Sequence, residues 1–348
     1  MSDWWAPSIA SRLQGRRSAA HTEVVILSVD VIVVTYNSAA EVAACLAAVR
    51  GSTHVERLIV VDNASSDGSA GAARRAGADL VLENERNVGF ARAVNRGLEA
   101  RAAECVLLLN PDAELREPAL ASMYATMRRE AGAAIVAPLL RTPDGPTESG
   151  AGRFATLTRR IGLCLPLVGR APYFAPQYRL PADVYAAGSS RDIDYAFGAA
   201  MLLDRAFLTQ TGGLDERFFL FAEDEDICRQ ARAAGRRVLL DTRAVAGHIG
   251  GASCGDEALT EAQRLFSTFR LFEKWRGRRA AALYRAGIVC ASWLRVQAAR
   301  AERRPRAAHE ITRLSRLFDE AARTGIDPLL SRPDGAAGSW LPREEPQA

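Results

Sequence analysis

Four consecutive acids, Glu223-Asp224-Glu225-Asp226, follow the apolar run Phe218-Phe219-Leu220-Phe221 and open the helix-like pattern ICRQARAAG. Apolar walls and neighbouring carboxylates both disfavour ionisation and push a carboxyl pKa upward. A carboxyl poised nearer neutrality, within reach of a hydroxyl, is suited to act as a general base. The competing reading is structural, because acids in a first turn complement the helix dipole.

A second acid, Asp112, ends the apolar run VLLLNPD, two residues after Asn110. Oxygen ligands at a strand end suit a hard divalent cation, which takes one or two carboxylates plus substrate phosphates. The alternative is a turn in which Asp112 caps a helix starting near Glu117. His248, in AGHIGGAS, could ligate a metal, touch a phosphate or sit on the surface. Asp62 ends RLIVVD before the turn-rich SSDGS. It could accept hydrogen bonds from a base or ribose, or the stretch could simply cap a helix through Ser65, Ser66 or Asp67. In ENERNVGFARAVNRG, Asn87, Gly89, Arg92 and Asn95 open a helix. Amides at a helix N-terminus beside an arginine suit a diphosphate; a capping turn explains the stretch equally well.

These residues need a frame that brings them together. Strand-like runs at 31–37, 57–63, 78–84 and 105–112 alternate with helical patterns at 39–51 and 90–103 and a shorter one before residue 78. Such alternation predicts a mostly parallel sheet flanked by helices, an α/β fold. Ligands of such sheets bind beyond the carboxyl ends of the strands, where Thr35-Tyr36-Asn37, Asp62-Asn63, Glu83-Asn84 and Asn110-Pro111-Asp112 lie. From about Pro138 to Arg191 the pattern loosens into Pro- and Gly-rich sequence, the mark of a functional loop. Strand and helix return with IDYAFGAAMLLDRAF, and RRVLLDTRAVAGHIGG reads as a short strand running into a loop. Beyond Asp256 helix formers and arginine dominate. The expected organisation is a tail at 1–23, a catalytic domain at 24–256 with an irregular acceptor-side region at 141–193, a helical C-terminal extension at 257–330, and a disordered tail at 331–348.

Bulk properties narrow the classes. Of 348 residues, 48% are hydrophobic and 25% charged, enough to bury a real core, and a net charge of +4 does not by itself suggest nucleic acid. Six scattered cysteines form no CxxC pair, against a zinc ribbon and in favour of a reduced, cytoplasmic setting. The N-terminus lacks the apolar core of a signal peptide, and no apolar run reaches the ~20 residues of a transmembrane helix. The basic segment 281–300 mixes Leu, Ile, Val and Trp with arginine. It could lie on an anionic membrane surface or pack its apolar face on the catalytic domain.

VIVVTYNS, LIVVDNASSDGS, NERNVGFARAVNRGL, VLLLNPDAEL, GAAMLLDRAFLTQTGGLDERFFLFAEDEDICRQARAAG and AGHIGGAS occur in this order over about residues 30–253. Together they resemble the family 2 glycosyltransferases, especially the rhamnosyltransferase-like branch. The resemblance implies the GT-A (nucleotide-diphospho-sugar transferase) fold and an inverting transfer from a nucleotide-sugar. It implies that Thr35, Tyr36 and Asn37 line the nucleotide pocket and that Asp62 contacts the base. Asn87, Gly89 and Arg92 would follow the ribose and diphosphate. Asp112 matches the metal-binding acid of the family's DxD motif, with Asn110 where many members carry the first acid and His248 as a further candidate ligand for Mg²⁺ or Mn²⁺. Asp224 matches the general base of the ED motif, with Glu223 beside it; Glu225 and Asp226 read as helix-opening acids. The expected donor is dTDP-rhamnose, with a UDP-hexose or a non-catalytic scaffold as alternatives. The expected acceptor is a cell-envelope glycan or polyprenyl-linked glycan at the inner face of the plasma membrane. A glycoside hydrolase would also use carboxylates, but as a pair flanking the bond; it would leave the nucleotide-pocket motifs without purpose.

Overall fold

The computed structural model describes residues 28–52, 54–141, 147–148, 150–164, 188–248 and 256–330. The two expected tails, much of the 141–193 region and the GGAS stretch after His248 lie outside them.

The chain begins β1 (Val29–Thr35), α1 (Val42–Arg50), β2 (Val55–Asp62), α2 (Ser69–Arg75), β3 (Leu80–Glu83), α3 (Phe90–Glu99), β4 (Cys105–Leu109). β-Branched residues favour the pleated conformation, and alternate side chains of β1 enter opposite layers. Val31 and Val33 pack with Val42 and Leu46 of α1, while Ile32 and Val34 pack with Val94 and Leu98 of α3. These four strands run parallel in the spatial order β3-β2-β1-β4. Every polar strand end therefore emerges on the same edge.

The sheet becomes mixed where the alternation stops. β5 (Ala113–Leu115), α4 (Glu117–Arg129) and β6 (Ala133–Arg141) follow. The described part of the expected loop region contains β7 (Thr147–Glu148), β8 (Ala151–Gly152), α5 (Leu157–Cys164) and β9 (Ser190–Asp192). Then come β10 (Tyr195–Ala196), β11 (Ala200–Asp204), α6 (Arg205–Thr211), α7 (Glu223–Ala233) and β12 (Arg237–His248). β11 enters antiparallel between β4 and β6, and the sheet ends β6-β12-β5, with β6 and β12 parallel.

One element differs from its sequence pattern. The expected short strand after Arg237 continues for twelve residues to His248. A register shift between Asp241 and Val245 interrupts its pairing with β6, and buried Asp241 accepts hydrogen bonds from Ser122, Thr126 and Arg243. The polar Asp241-Thr242-Arg243 step is thus a bulge inside the strand. Beyond it, β12 pairs with β5 so that His248 faces Ala113, beside Asp112.

The described residues end with three helices, α8 (Glu257–Arg276), α9 (Arg278–Ala301) and α10 (Pro305–Thr324), followed by a short 3₁₀ turn at Pro328–Leu330. Phe266, Phe272, Tyr284, Ile288 and Phe318 form their shared core, and Phe218 joins it from the segment before α7.

Candidate active site

Tyr36, Asn87, Gly89, Asn110, Asp112, Glu223, Asp224 and His248 line one cavity of about 450 Å³ at the carboxyl edge of the sheet. Asp112 and Asp224 therefore share a pocket, although 112 residues of sequence separate them. A two-residue segment joins their loops: the Gly198 amide donates to Asp224 Oδ2 at 3.2 Å, and the Ala199 carbonyl accepts from the Asn110 amide at 2.9 Å.

On one side of the cavity the FFLF run is a wedge. Phe218 enters the C-terminal core, the Phe219 carbonyl accepts from the Phe90 amide, and Phe221 lies under Arg264 with 4.3 Å between guanidinium and ring. Gly89 has φ +87°, and a Cβ there would sit 2.6 Å from the Phe219 oxygen, so the close approach of the two loops requires glycine. Phe221 and Ala222 are both left-handed, with φ of 69° and 67°, immediately before Glu223. Strain of this kind, about 1–3 kcal/mol per residue, persists only where surrounding structure enforces it and gathers at functional sites.

The four acids divide in two. Glu225 is buried and accepts from the Ala155 amide and the Arg229 guanidinium. Asp226 is buried and accepts from Lys274, Trp275 and Gln230. Both lie in the first turn of α7, as expected of helix-opening acids, and each also tethers the helix to the surrounding structure. Asp224 instead lines the cavity, and among the described residues its oxygens accept from the Gly198 and Glu225 amides. Glu223 is buried, and its Oε2 has no hydrogen-bond partner among the described residues. Burial, then the Asp224 charge, pushes the Glu223 carboxyl up to about 8. Burial raises Asp224 to about 6, against two amide hydrogen bonds that favour its ionised form. Both carboxyls are thus pushed upward, and near neutral pH the pair shares a single negative charge.

That arrangement sets a pH dependence of stability. The folded protein keeps a proton on the Glu223–Asp224 pair that the unfolded chain has already released. Stability therefore falls as pH rises from the ordinary carboxylate range through about 8. Glu223→Gln removes the titration. Its melting temperature should gain on the parent between pH 5 and pH 9 by at least about 3 °C. Calorimetric melts at several pH values measure this, and parallel curves for the two proteins would show that Glu223 ionises normally.

On the other side, the Asn110-Pro111-Asp112 turn is closed by the Ala113 amide on the Asn110 carbonyl. Arg116, not Asp112, occupies the cap position of α4, so the capping alternative for Asp112 does not apply. His248 Nε2 lies 3.6 Å from Asp112 Oδ1. Among the described residues no group of three His, Cys, Asp or Glu side chains is arranged to hold a metal. One carboxylate oxygen and one imidazole nitrogen do fit a cation whose other ligands come from substrate phosphates.

The remaining predicted residues stand behind or beside the cavity. Thr35 donates to Asp62 Oδ1 at 2.8 Å, and the Ser65 amide donates to Asp62 Oδ2. Asn37, left-handed at φ 51°, accepts from the Ser66 amide. These contacts fix the loop that presents Tyr36. Arg92 is paired with Glu216 at 2.9 Å and is not part of the cavity wall. Four wall residues carry no strong local signal. Asn63 is buried and donates to Asn87 while accepting from the Val88 amide, which locks the Gly89 loop. Gly198 aims its amide at Asp224. Thr260 and Arg264 reach the wall from α8. Only the polar strand end Asp62-Asn63 could have flagged one of them from sequence.

The profile described as Glycosyl transferase family 2 matches residues 30–179, and that of Glycosyl transferase family 21 matches residues 179–262. The first span contains Asp112, and the second contains Asp224 and His248. The chain is a glycosyltransferase.

Among relatives of this glycosyltransferase is an N-acetylglucosaminyl-diphospho-decaprenol L-rhamnosyltransferase of Mycobacterium tuberculosis. It is 28% identical over 224 residues, which cover 59% of this chain and 70% of the relative. A low-salt glycan biosynthesis hexosyltransferase of Haloferax volcanii is 26% identical over 210 residues, covering 58% of this chain and 61% of that protein. In fold, the glycosyltransferase resembles a Pyrobaculum calidifontis mannosyltransferase solved with GDP-Man and Mn²⁺. The TM-score is 0.52 at 19% identity, covering 87% of this chain and 86% of that one. It also resembles GalNAc-T7 solved with UDP, GalNAc and Mn²⁺, at TM-score 0.52 and 16% identity over 72% of this chain and 48% of that one. The architecture is the GT-A fold.

Proposed function

We propose that this enzyme transfers L-rhamnose from dTDP-rhamnose, with inversion, to a hydroxyl of a cell-envelope glycan carried on a polyprenyl diphosphate lipid. The observation that carries the reaction type is the shared cavity of Asp112, His248 and Asp224. The donor and acceptor rest on the motif likeness and on the named mycobacterial relative.

Asp224 takes the proton of the acceptor hydroxyl as its oxygen attacks the anomeric carbon. The bond from that carbon to the donor's phosphate oxygen breaks on the opposite face, and the nucleoside diphosphate leaves with the electron pair. The Gly198 and Glu225 amides hold the carboxylate in place, and proximity of this kind accounts for much of an enzyme's advantage. The proton kept by the pair, when on Glu223, leaves Asp224 as the single charge beside the nucleophile. Asp112 and His248 would hold Mg²⁺ or Mn²⁺, which when bound neutralises charge on the departing diphosphate.

Calorimetric titration with dTDP-rhamnose and with UDP-hexoses, with Mg²⁺ and with EDTA, tests the donor. Tighter binding of a UDP-hexose would overturn the rhamnose assignment. In the same experiment Asp112→Ala should weaken donor binding in Mg²⁺ by at least about tenfold, the loss of one charge-assisted ligand interaction. EDTA should weaken the parent likewise and the variant no further. Unchanged affinity in Asp112→Ala would place the cation elsewhere.

A further inference from the structure

Helix α9 carries two apolar faces. The inner face, with Ala281, Tyr284, Ile288 and Ala291, packs in the C-terminal core. The outer face leaves Leu283 63% and Trp293 60% exposed, with Leu294 beside them. Ala282, Ala286 and Cys290 are exposed between them. Helical spacing puts these residues on one stripe, about 18 Å long at 1.5 Å per residue. No charge interrupts it: Arg285 turns aside to pair with Asp319 at 2.7 Å.

Exposed arginines bracket the stripe, Arg278 and Arg279 at one end, Arg295 and Arg300 at the other. The charge is concentrated here. Residues 278–324 carry eleven arginines against four acids, a net +7, whereas the whole chain has a net charge of only +4, so the other 301 residues are net negative. An uncharged stripe containing a tryptophan, set in a basic surface, matches the interface of an anionic bilayer. No helix among the described residues is long and apolar enough to cross a membrane, so such contact would be peripheral.

The stripe also touches the active-site wall. Gly287 lies between Leu283 and Cys290, and a Cβ on it would meet Ile161 of α5 at 2.5 Å, so α5 sits directly on α9. Arg160 of α5 lines a side cavity of about 280 Å³ that shares Glu223 and Asp224 with the main one.

We propose that the outer face of α9 lies in the surface of an anionic membrane, with Leu283, Trp293 and Leu294 at the headgroup boundary, and that α5 thereby brings the side cavity next to the lipid. This contact is independent of the donor's identity.

Flotation of the full chain with vesicles of phosphatidylcholine alone, and with one third phosphatidylglycerol, tests it. The protein should float with the anionic vesicles at low salt and be released by high salt, because surface attraction is screened. Leu283→Ser/Trp293→Ser should weaken that binding by about 10²-fold, with the melting temperature unchanged because both side chains are exposed. The parent staying unbound to anionic vesicles at low salt, or the double variant floating equally well, would overturn the proposal. So would a parent dimer in ultracentrifugation that the double variant converts to monomer, since the stripe would then be an interface between copies.

Discussion

Asp224→Asn should lower turnover by about 10²–10⁴-fold, the usual worth of general acid–base catalysis, while donor affinity stays at the parent value. Asparagine keeps the shape of the side chain but cannot accept the acceptor's proton. The affinity should hold because, in the proposed mechanism, Asp112 and His248 take the donor's diphosphate and Asp224 takes only the acceptor's proton. Single-turnover rates over a pH series give a second signature. The parent's rate should rise with a midpoint at about 6, as Asp224 loses its proton, and the variant's should be flat in that range. Asparagine offers one acceptor oxygen where the carboxylate offers two to the Gly198 and Glu225 amides. A melt separates any change in stability from the kinetic one. Equal turnover in variant and parent would remove Asp224 from the chemistry.

Lys274→Met should cause the largest loss of stability. Lys274 is the chain's only lysine. Its ammonium bridges Asp215 and Asp226 at 2.7 Å each, and Asp226 is 1% exposed. Removing one partner of a buried ion pair costs about 3–5 kcal/mol because the remaining charge is stranded. For a chain of 348 residues that corresponds to roughly 4–7 °C in melting temperature. Trp275 and Gln230 still donate to Asp226, which puts the expectation near the lower end. Asp226→Asn added to Lys274→Met should recover much of the loss, since the stranded charge is gone. Scanning calorimetry reads both results, and a parent-like melt for Lys274→Met would show the bridge to be idle. Helix α8 also carries Thr260 and Arg264 into the cavity wall, so a loosened α8 should weaken substrate binding as well.

How much of this was readable in advance differs between the two halves of the sheet. β1 to β4 were legible because their apolar runs are short, β-branched and punctuated by helices, so local sequence and tertiary role agree. β12 was read too short because the buried Asp241 looks like a strand end; its partners Ser122 and Thr126 lie more than a hundred residues away. The same distance problem governs the acids. Asp224 and Asp112 stood out by type and spacing, but nothing near Glu225 or Asp226 announces Ala155, Lys274 or Trp275 as their partners. Arg92 reads locally as a phosphate ligand, and only the fold brings Glu216 to it. The Gly198 amide is invisible in any pattern, because a backbone donor has no letter in the sequence.

The Gly198-Ala199 segment has a consequence for how such a pocket can vary. It grips Asp224 at one end and the Asn110 turn at the other, so it works as a gauge block between two jaws. An inserted residue would open the jaws by about 3.3 Å, the rise of one extended residue, which is more than the length of either gripping bond. Fitting a bulkier or slimmer sugar is therefore a matter of recutting the sides, at Phe197, Phe221 or Arg264, while the opening between the jaws stays fixed.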